Sequence, residues 1–412
     1  MPRTLLVTSA SPVIQSAGSV FLKSLIEPES APFHWFVLGP RDSESHSFAQ
    51  ASLEYAYPAP AGRHRAPSPD SLGFRIKHWV RQKFGEGPSK LWKQWPLIRR
   101  EAPALANRLL EICTREKIEV IWFVVDSTPL LTYLLACIAS RWTGGLALNI
   151  HDPPTREADL LGFPFNRALE HLILTHLKQG LRKANSVAVA SSNMRKLYSV
   201  PDAEVLIHGP DRELIRPAAL SMKDPATLQI GFAGSLYAED TWYSFLHALD
   251  SIHWKLDGRQ IKIKLLGIWK PEAGKQISQN VEMLGWATPE RCLEVLCECD
   301  MTYLPYWFGH DSSVQNCFPN KLSMYLAAGV PVFYHGPKPS SPDDFLREFR
   351  AGVSCNTTSA GVIVNDLSHF LNPDTYRQFA QESRRAALEQ LNLQVFQAAF
   401  RRFILLAAPE RS

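Results

Sequence analysis

Apolar and polar positions along this chain follow two alternating periods. Short apolar runs at residues 5–9 and 35–38 have the length and composition of buried strands, and between them Val20, Phe21 and Leu25 follow helical spacing. Strands that alternate with helices are joined by crossover connections, which produce a parallel sheet. The start of the chain therefore predicts an α/β fold.

The same alternation continues to residue 208 and begins again beyond a polar, proline-bearing stretch. Further strands are predicted at 118–125, 146–150, 186–190 and 205–208 in the first series, and at 261–266, 281–284, 301–304 and 330–334 in the second. The pattern divides the chain into an N-terminal domain (1–208), a linker (209–226), a C-terminal domain (227–390) and a last helical segment (391–412) that packs back on the first domain.

Composition limits the class of function. The 412 residues are 45% apolar and 10% aromatic, which is enough for sizeable cores and excludes global disorder. The formal net charge of +4 is modest, so a polyanion such as nucleic acid is not expected to be the main partner. The seven cysteines are scattered and show no zinc-ligand spacing, so we expect no metal, and reduced thiols in a cytoplasmic protein.

Neither of the candidate apolar segments is predicted to enter a membrane as a helix. The N-terminal run MPRTLLVTSASP is too short and too polar for a signal peptide and is interpreted as a first strand. Residues 120–140 are interrupted by Asp126, Ser127 and Pro129, so they are interpreted as a strand, a turn and a buried helix.

A basic segment with interleaved tryptophans covers residues 74–100. It includes Trp79, Arg81 and Trp92, and its acidic content is limited to Glu86. Basic residues beside interfacial aromatics suit an anionic membrane surface or a phosphorylated acceptor, and nucleic acid is a weaker alternative. The plainer interpretation is a solvated helix face whose tryptophans pack on the domain.

The stretch at residues 318–334 predicts a loop, a helix and a buried strand in quick succession. Pro319 suits a first helical turn, and Gly329 followed by Pro331 ends the helix. Unpaired N–H groups at the start of such a helix attract anions, and Lys321 adds a full positive charge there. The alternative is an ordinary core helix of an α/β domain.

Two further places have polar chemistry where a strand ends. Gly231 and Gly234 are predicted at a strand-to-helix turn, where a missing side chain would let the backbone approach a phosphate, although this spacing alone is weak evidence. His151 and Asp152 directly follow the predicted strand at 146–150, at the sheet edge where open α/β sheets bind ligands. A turn role is the alternative for both, and it is stronger for Asp152, which precedes two prolines.

Taken together, three stretches resemble those of a known family. They are NIHDPP (149–154), IGFAGSLY (230–237) and PNKLSMYLAAGVPV (319–332), and the chain resembles a GT-B fold glycosyltransferase, closest in style to glycosyltransferase family 4. The resemblance implies two facing Rossmann-like domains, with an acceptor in the N-terminal one and a nucleotide-diphosphate sugar in the C-terminal one. It also implies a metal-independent, usually retaining transfer that needs no cofactor.

The sequence patterns and the resemblance together give the candidate site residues. The catalytic set is His151, Lys321 and Asn316; the donor-binding set is Gly231, Gly234, Ser235, Pro319, Asn320, Lys321, Leu322 and Ser323; the acceptor or membrane side holds Gly18, Asp152, Trp79, Arg81 and Trp92. Where the family often has an arginine and a lysine this chain has Ser235 and Asp240, and where the family often has two glutamates it has Asn316 and Met324.

The leading hypothesis is a hexosyltransferase-type enzyme that builds a polysaccharide, glycolipid or other glycan. It would be cytoplasmic, with peripheral contact to the inner membrane surface through residues 74–100. The alternative, prompted by Ser235, Asp240 and Met324, is a non-catalytic GT-B homologue that scaffolds or regulates a partner enzyme. A nucleotide-sugar epimerase is a weaker third hypothesis, because no convincing carboxylate pair is found for it.

Overall fold

The computed structural model describes residues 1–9, 17–26, 33–38, 51–55, 87–159, 161, 163–267, 279–309 and 315–409. These residues form two compact units. Unit 1 contains Met1–Leu206 together with the C-terminal residues from Gln397, and unit 2 contains the described residues from Ile207 to Phe396. The sequence had placed the corresponding boundaries at 208 and 390.

Unit 1 is built on a parallel sheet. Its described strands are β1 (Thr4–Thr8), β2 (Phe33–Val37), β3 (Ala51–Tyr55), β4 (Val120–Val125), β5 (Gly145–Ile150), β6 (Ser186–Val189) and β7 (Glu204–Val205), in the order β3-β2-β1-β4-β5-β6-β7. The described helices are α1 (Ala17–Ile26), α2 (Gly87–Pro96), α3 (Ala102–Arg115), α4 (Pro129–Ala139), α5 (Arg156–Asp159), α6 (Phe165–Lys183) and α7 (Ser192–Tyr198). A π-helical turn, Leu97–Glu101, connects α2 to α3.

Unit 2 repeats this plan. Its described strands are β8 (Thr227–Ala233), β9 (Lys255–Leu256), β10 (Arg259–Leu266), β11 (Val281–Gly285), β12 (Met301–Pro305), β13 (Val332–His335) and β14 (Gly352–Cys355), and the parallel order is β11-β10-β8-β12-β13-β14, with β9 antiparallel to β10. The helices are α8 (Glu239–Ser251), α9 (Pro289–Cys297), α10 (Asn320–Ala327), α11 (Ser341–Phe349), α12 (Ala360–Ser368) and α13 (Pro373–Glu389). Two 3₁₀ turns, Arg212–Leu214 and His369–Leu371, complete the unit.

In each sheet the strand order reverses beside the first strand of the unit. β1 lies between β2 and β4, and β8 lies between β10 and β12. Open parallel sheets bind ligands outside the carboxyl ends of the strands at this reversal point. The fold therefore marks the residues that follow β1 and β4 in unit 1, and those that follow β8 and β12 in unit 2.

The last helix, α14 (Leu393–Ala407), belongs to unit 1 from Gln397 onward. Its Phe400 ring lies 4.6 Å from the ring of Trp122 in β4, and the Ser186 hydroxyl donates to the Phe403 carbonyl at 2.7 Å. β4 has six consecutive buried residues because helices cover both faces of a central parallel strand. α14 is one of those covering elements.

The segment that the sequence assigned to a linker is packed along unit 2. The backbone N–H of Arg216 donates to the Ala327 carbonyl at 2.8 Å, and that of Ala219 donates to the Gly329 carbonyl at 2.8 Å. Gly329 has φ +70°, and a Cβ there would lie 2.4 Å from the Pro217 carbonyl oxygen. Glycine at the end of α10 therefore permits both the left-handed turn and this close approach.

Three local predictions need correction. Gly231 lies inside β8 and not at the turn that follows this strand. A Cβ on it would come within 2.7 Å of the Leu296 side chain of α9, so glycine is required there for helix packing. Gly18, which the sequence pattern places in the loop after the first strand, lies in the first turn of α1. Pro319 is the residue before α10, with extended backbone, and not part of the first turn.

Among the described residues, no helix combines the length and the apolar character needed to cross a membrane. Residues 56–72, whose Pro, Ala, Gly and Ser content predicts a loop, lie outside the described residues.

Candidate functional site

The turn after β8 is built from glycines at neighbouring strand ends. Gly234 follows β8 with φ +107°, and its N–H donates to the Leu266 carbonyl at the end of β10 at 2.8 Å. Gly267, which directly follows Leu266, has φ +132°, and a Cβ on it would lie 2.4 Å from the Gly234 carbonyl oxygen. The backbone of this turn, called the glycine turn below (residues 233–238), is therefore held close to the end of β10.

Lys321 contacts the glycine turn from the loop-and-helix segment that follows β12. Its Nζ donates to the Ser235 carbonyl at 2.8 Å and lies 4.8 Å and 4.7 Å from the ring centroids of Phe232 and Tyr237. The side chain is half-buried, and desolvation lowers the pKa of its ammonium to about 7. The structure thus brings together Gly234, Ser235 and Lys321, which the sequence had assigned to one donor site.

Tyr325 fixes α10 to the same turn, a contact that its place on the inward face of the predicted helix did not reveal. The buried hydroxyl accepts a hydrogen bond from the Ala233 N–H at 2.9 Å and donates to the Ala233 carbonyl at 3.0 Å. Burial raises the pKa of the phenol well above its ordinary value, so the hydroxyl keeps its proton and both bonds. The available signal was a tyrosine one helical turn beyond Lys321, on the same face.

The two helix starts near the turn differ in charge. α8 carries Glu239 and Asp240 in its first turn, and these carboxylates already complement the positive end of that helix. α10 has no acidic residue in its first turn, and Pro319 at its N-cap offers no side-chain acceptor. The described residues therefore concentrate positive potential at the start of α10, beside Lys321, and not at the start of α8.

The other predicted donor residues divide between surface and core. Asn320 is exposed, whereas Leu322 and Ser323 are 0% and 1% exposed. Leu322 belongs to the core cluster of unit 2, and the Ser323 hydroxyl is buried without a hydrogen-bond partner among the described residues. The Leu322 N–H donates to the Pro319 carbonyl at 2.9 Å, so the side chain and the N–H of Leu322 are both engaged, while Gly231 serves the packing of α9.

At the two positions where the resembling family often has glutamates, this chain has Asn316 and Met324, and both contribute to packing within unit 2. The Asn316 carbonyl accepts a hydrogen bond from the Ser341 hydroxyl at 3.0 Å, which ties the loop to α11. Met324 is half-buried and packs against the core cluster of unit 2. Neither side chain supplies a carboxylate for ribose hydroxyls.

A cavity of about 330 Å³ lies at the carboxyl ends of β10 and β11, beside the glycine turn. Its lining includes Leu266, Trp286 and Arg291, and the Trp286 side chain is 68% exposed. The Gly267 N–H donates to the Gly285 carbonyl at 2.6 Å, which connects the cavity rim to the residues that follow β10. The sequence analysis did not identify this cavity, because residues from separate strands and α9 form it.

In unit 1, polar groups gather at the ends of β1, β4 and β5. Asp126 follows β4 and accepts hydrogen bonds from the Ser9 hydroxyl and, at 2.7 Å, from the Thr128 N–H. His151 follows β5, with its ring 4.6 Å from Phe21 and its Nδ1 buried without a hydrogen-bond partner in the part of the chain that the structure describes. Asp126 was not among the predicted site residues, although an acid directly after a fully buried strand was a usable signal.

The remaining predicted acceptor-side residues are scattered. Asp152 is half-buried next to His151, and Trp92 on α2 is 79% exposed. Gly18 lies in α1, at the amino end of that helix. Trp79 and Arg81 lie outside the described residues. His151 and Asp152 belong to unit 1, and Lys321 belongs to unit 2.

Metal-ligating chemistry is sparse in the part of the chain that the structure describes. No group of three or more His, Cys, Asp or Glu side chains there could hold a metal ion. All seven cysteines are free thiols, of which Cys113, Cys299 and Cys355 are buried. Desolvation raises the pKa of each of these three buried thiols to about 12, so they are protonated at neutral pH.

Comparison with known proteins gives structural matches. No protein-family model matches the sequence, and no curated protein matches it. Anabaena HepE in complex with UDP and glucose has 12% identity and a TM-score of 0.59, over 98% of this chain and 99% of that one. Sucrose-phosphate synthase from Thermosynechococcus elongatus has 11% identity and a TM-score of 0.65, over 97% and 98%. A UDP-forming α,α-trehalose-phosphate synthase from Burkholderia vietnamiensis has 9% identity and a TM-score of 0.59, over 98% and 99%.

These similarities extend over nearly the whole of each chain, at identities that establish the architecture alone. The GT-B architecture predicted from the sequence is thereby confirmed: the chain has the GT-B fold.

Proposed function

We propose that this protein is a glycosyltransferase that moves a sugar from a nucleoside diphosphate sugar to a glycan or lipid-linked acceptor. The observation that carries the proposal is the position of Lys321. Its ammonium lies 2.8 Å from the Ser235 carbonyl, at the carboxyl ends of β8 and β12, where the strand order of unit 2 reverses. A cation beside a glycine turn and a helix start suits a diphosphate.

The chemistry of sugar transfer needs such a group. Negative charge builds on the departing diphosphate as the glycosidic bond breaks, and preorganised donors stabilise that charge most when they are partly desolvated. Lys321 and the first N–H groups of α10 are the donors available for this purpose in unit 2. Among the described residues the half-buried ammonium contacts carbonyl and ring atoms and no carboxylate, so a bound anion would supply a counter-charge.

The cavity beside the glycine turn is proposed to hold the base of the donor. Trp286 offers a flat aromatic face at its rim, and Arg291 supplies a polar contact. A pocket of about 330 Å³ lies within the size range of small-ligand sites. Because HepE was solved with UDP, uridine diphosphate sugars are the first donors to test.

For the acceptor we propose the polar group of unit 1, with Asp126 to accept a hydrogen bond from an acceptor hydroxyl and His151 to contact the transferred sugar. A metal-independent, retaining reaction and membership of glycosyltransferase family 4 are proposals supported by the sequence resemblance. Polysaccharide synthesis in the cytoplasm, with acceptor supply at a membrane surface, completes the proposal.

Calorimetric titration with UDP, UDP-glucose and other nucleoside diphosphate sugars tests the donor part. We expect saturable binding of at least one donor, with a Kd below about 1 mM. Lys321→Met should weaken it, whereas the matched control Lys255→Met, an exposed lysine on β9, should not. Absence of binding and of donor hydrolysis across the panel would contradict the proposal.

The alternative is a non-catalytic GT-B homologue that scaffolds or regulates a partner enzyme. It is favoured by the neutral Ser235 and the acidic Asp240 at the turn, and by Met324, which packs into the core. This alternative predicts a stable partner complex and no thermal shift with any nucleoside diphosphate. A shift of several degrees with UDP would exclude it.

A further inference from the structure

Unit 1 exposes three large aromatic side chains on neighbouring elements. Trp92 and Trp95 of α2 are 79% and 58% exposed, and Phe163, just before α6, is 75% exposed. Full exposure of large aromatic rings is costly in water, and such rings mark contact surfaces when they occur together. Trp92, Trp95 and Phe163 together are called the aromatic surface.

The inner sides of α2 and α6, which carry the aromatic surface, are packed against the rest of unit 1. Gln94, on the opposite side of α2, is buried and accepts a hydrogen bond from the Tyr133 hydroxyl at 2.9 Å. Leu91 of α2 and Phe165 of α6 pack against one apolar cluster, which includes Leu169. The two elements that carry the exposed rings are therefore adjacent, and burial of their inner sides directs Trp92 and Trp95 outward.

Basic side chains accompany the rings. The Arg99 guanidinium lies 4.5 Å from the Trp95 ring centroid, and the Arg167 guanidinium lies 5.7 Å from the Phe163 ring centroid. Lys93 and Arg100 are also exposed, and residues 87–100 contain no acidic side chain. The surface is thus apolar at its rings, with an arginine over two of them and further positive charge on Lys93 and Arg100.

We propose that this surface docks unit 1 on an anionic lipid bilayer. Tryptophan and phenylalanine partition into the interfacial layer, while arginine and lysine interact with anionic headgroups. The surface includes Phe163 and Arg167, which lie far from the basic segment at 74–100 in sequence. The proposal deepens the proposed function and rests on it in one respect: a lipid-linked acceptor would be delivered to the unit that holds Asp126 and His151.

The test is co-sedimentation of the full-length protein with vesicles of phosphatidylcholine containing about 30% phosphatidylglycerol, and with vesicles of phosphatidylcholine alone. We expect binding to the anionic vesicles that weakens as salt rises. Each basic side chain near such a surface changes partitioning about fivefold, so Arg99→Glu with Arg100→Glu should lower it at least about 25-fold. Trp92→Ala with Trp95→Ala, and separately Phe163→Ala, should lower it about tenfold or more.

Matched controls separate the surface from general effects. Lys178→Glu changes an exposed charge about three turns further along α6 than Arg167, and Leu406→Ser removes an exposed apolar side chain from α14; both should bind as the unchanged protein does. UDP-glucose binding by each variant reports on the donor site in unit 2, so failure of docking and failure of the donor proposal are distinguishable.

The charge-reversal pair, the tryptophan pair and the single variant Phe163→Ala are independent, so misfolding of one leaves the others informative. Absence of binding to anionic vesicles would overturn the proposal, as would equal binding by the surface variants and the unchanged protein. Surface-dependent binding to single-stranded RNA without binding to vesicles would overturn it as well, because the partner would then be nucleic acid.

Discussion

Replacing Lys321 with methionine removes the cation from the glycine turn while keeping a long apolar side chain on α10. The ammonium is 2.8 Å from the Ser235 carbonyl and near the Phe232 and Tyr237 rings, so methionine can occupy nearly the same space. If a donor diphosphate binds here, the variant loses one charge-assisted hydrogen bond. Such a bond contributes about 1.5–3 kcal/mol, and we therefore expect affinity to fall by a factor of about 10 to 150.

The lowered pKa makes this effect depend on pH. With a pKa of about 7, Lys321 in the free protein is mostly protonated at about pH 6 and mostly neutral at about pH 8.5. The diphosphate of UDP-glucose stays ionised throughout this range. Binding by the unchanged protein should therefore weaken up to about 30-fold between these pH values, whereas binding by Lys321→Met should be nearly constant.

Calorimetric titration with UDP-glucose at both pH values measures the two effects. Lys321→Arg is the charge control: it should retain part of the affinity and lose the pH dependence, because arginine does not titrate here. Equal affinities for the unchanged protein and Lys321→Met at low pH would refute the assignment of Lys321 to the diphosphate.

The stability of Lys321→Met provides an independent check. Because folding lowers the pKa of Lys321, the unfolded chain binds the extra proton between about pH 7 and 10.5, and the contribution of this group to folding stability rises with pH across that window. Removal of the buried amine should leave the melting temperature at pH 7 unchanged or higher. A marked loss of stability would show that the ammonium is structural.

Three further predictions concern unit 2. Tyr325→Phe leaves the buried Ala233 N–H and carbonyl without their shared partner, and we expect a loss of about 1–3 kcal/mol in the free energy of unfolding, measured by urea denaturation, together with weaker donor binding. Gly231→Ala should cost about 1–3 kcal/mol by overpacking, whereas Gly361→Ala, with nothing within 4 Å of the new Cβ, should be neutral or stabilising; equal effects would contradict the packing argument. Burial lowers the pKa of His335 to about 4, so the unfolded state takes up its proton first as pH falls below about 6.5; relative to His335→Gln, the protein should lose about 2 kcal/mol of stability by about pH 5.

Hydrophobic periodicity was sufficient to predict most elements of the chain. The last helical segment, predicted within 391–412, is observed as α14 (Leu393–Ala407), and the predicted strand at 118–125 is observed as β4 (Val120–Val125). These elements have one strong period and clear breaks at their ends, so the pattern fixes both type and approximate limits. Gly231 was misplaced because a glycine required for helix packing and a glycine required for a turn look alike in sequence.

The candidate site was only partly predictable. The helical spacing and the charge of Lys321 could be seen in the sequence, and the resemblance paired that residue with Gly234 and Ser235. The sequence did not reveal three features: the hydrogen bonds between Tyr325 and Ala233, the cavity beside Trp286 and the polar group around Asp126. Each of these joins residues from separate strands and helices. Contacts of this kind depend on the order of strands in the sheet, which periodicity does not encode.

The sequence by itself determined the fold class, the repetition of an α/β series and a helix with a basic residue at its start. The tertiary structure decided what that helix does. Lys321 and Ser235 are 86 positions apart, yet parallel pairing of β8 with β12 places their atoms in hydrogen-bond contact. The same folding removes water from the ammonium and lowers its pKa to about 7, a property that no local pattern contains because desolvation depends on the whole surroundings of the group.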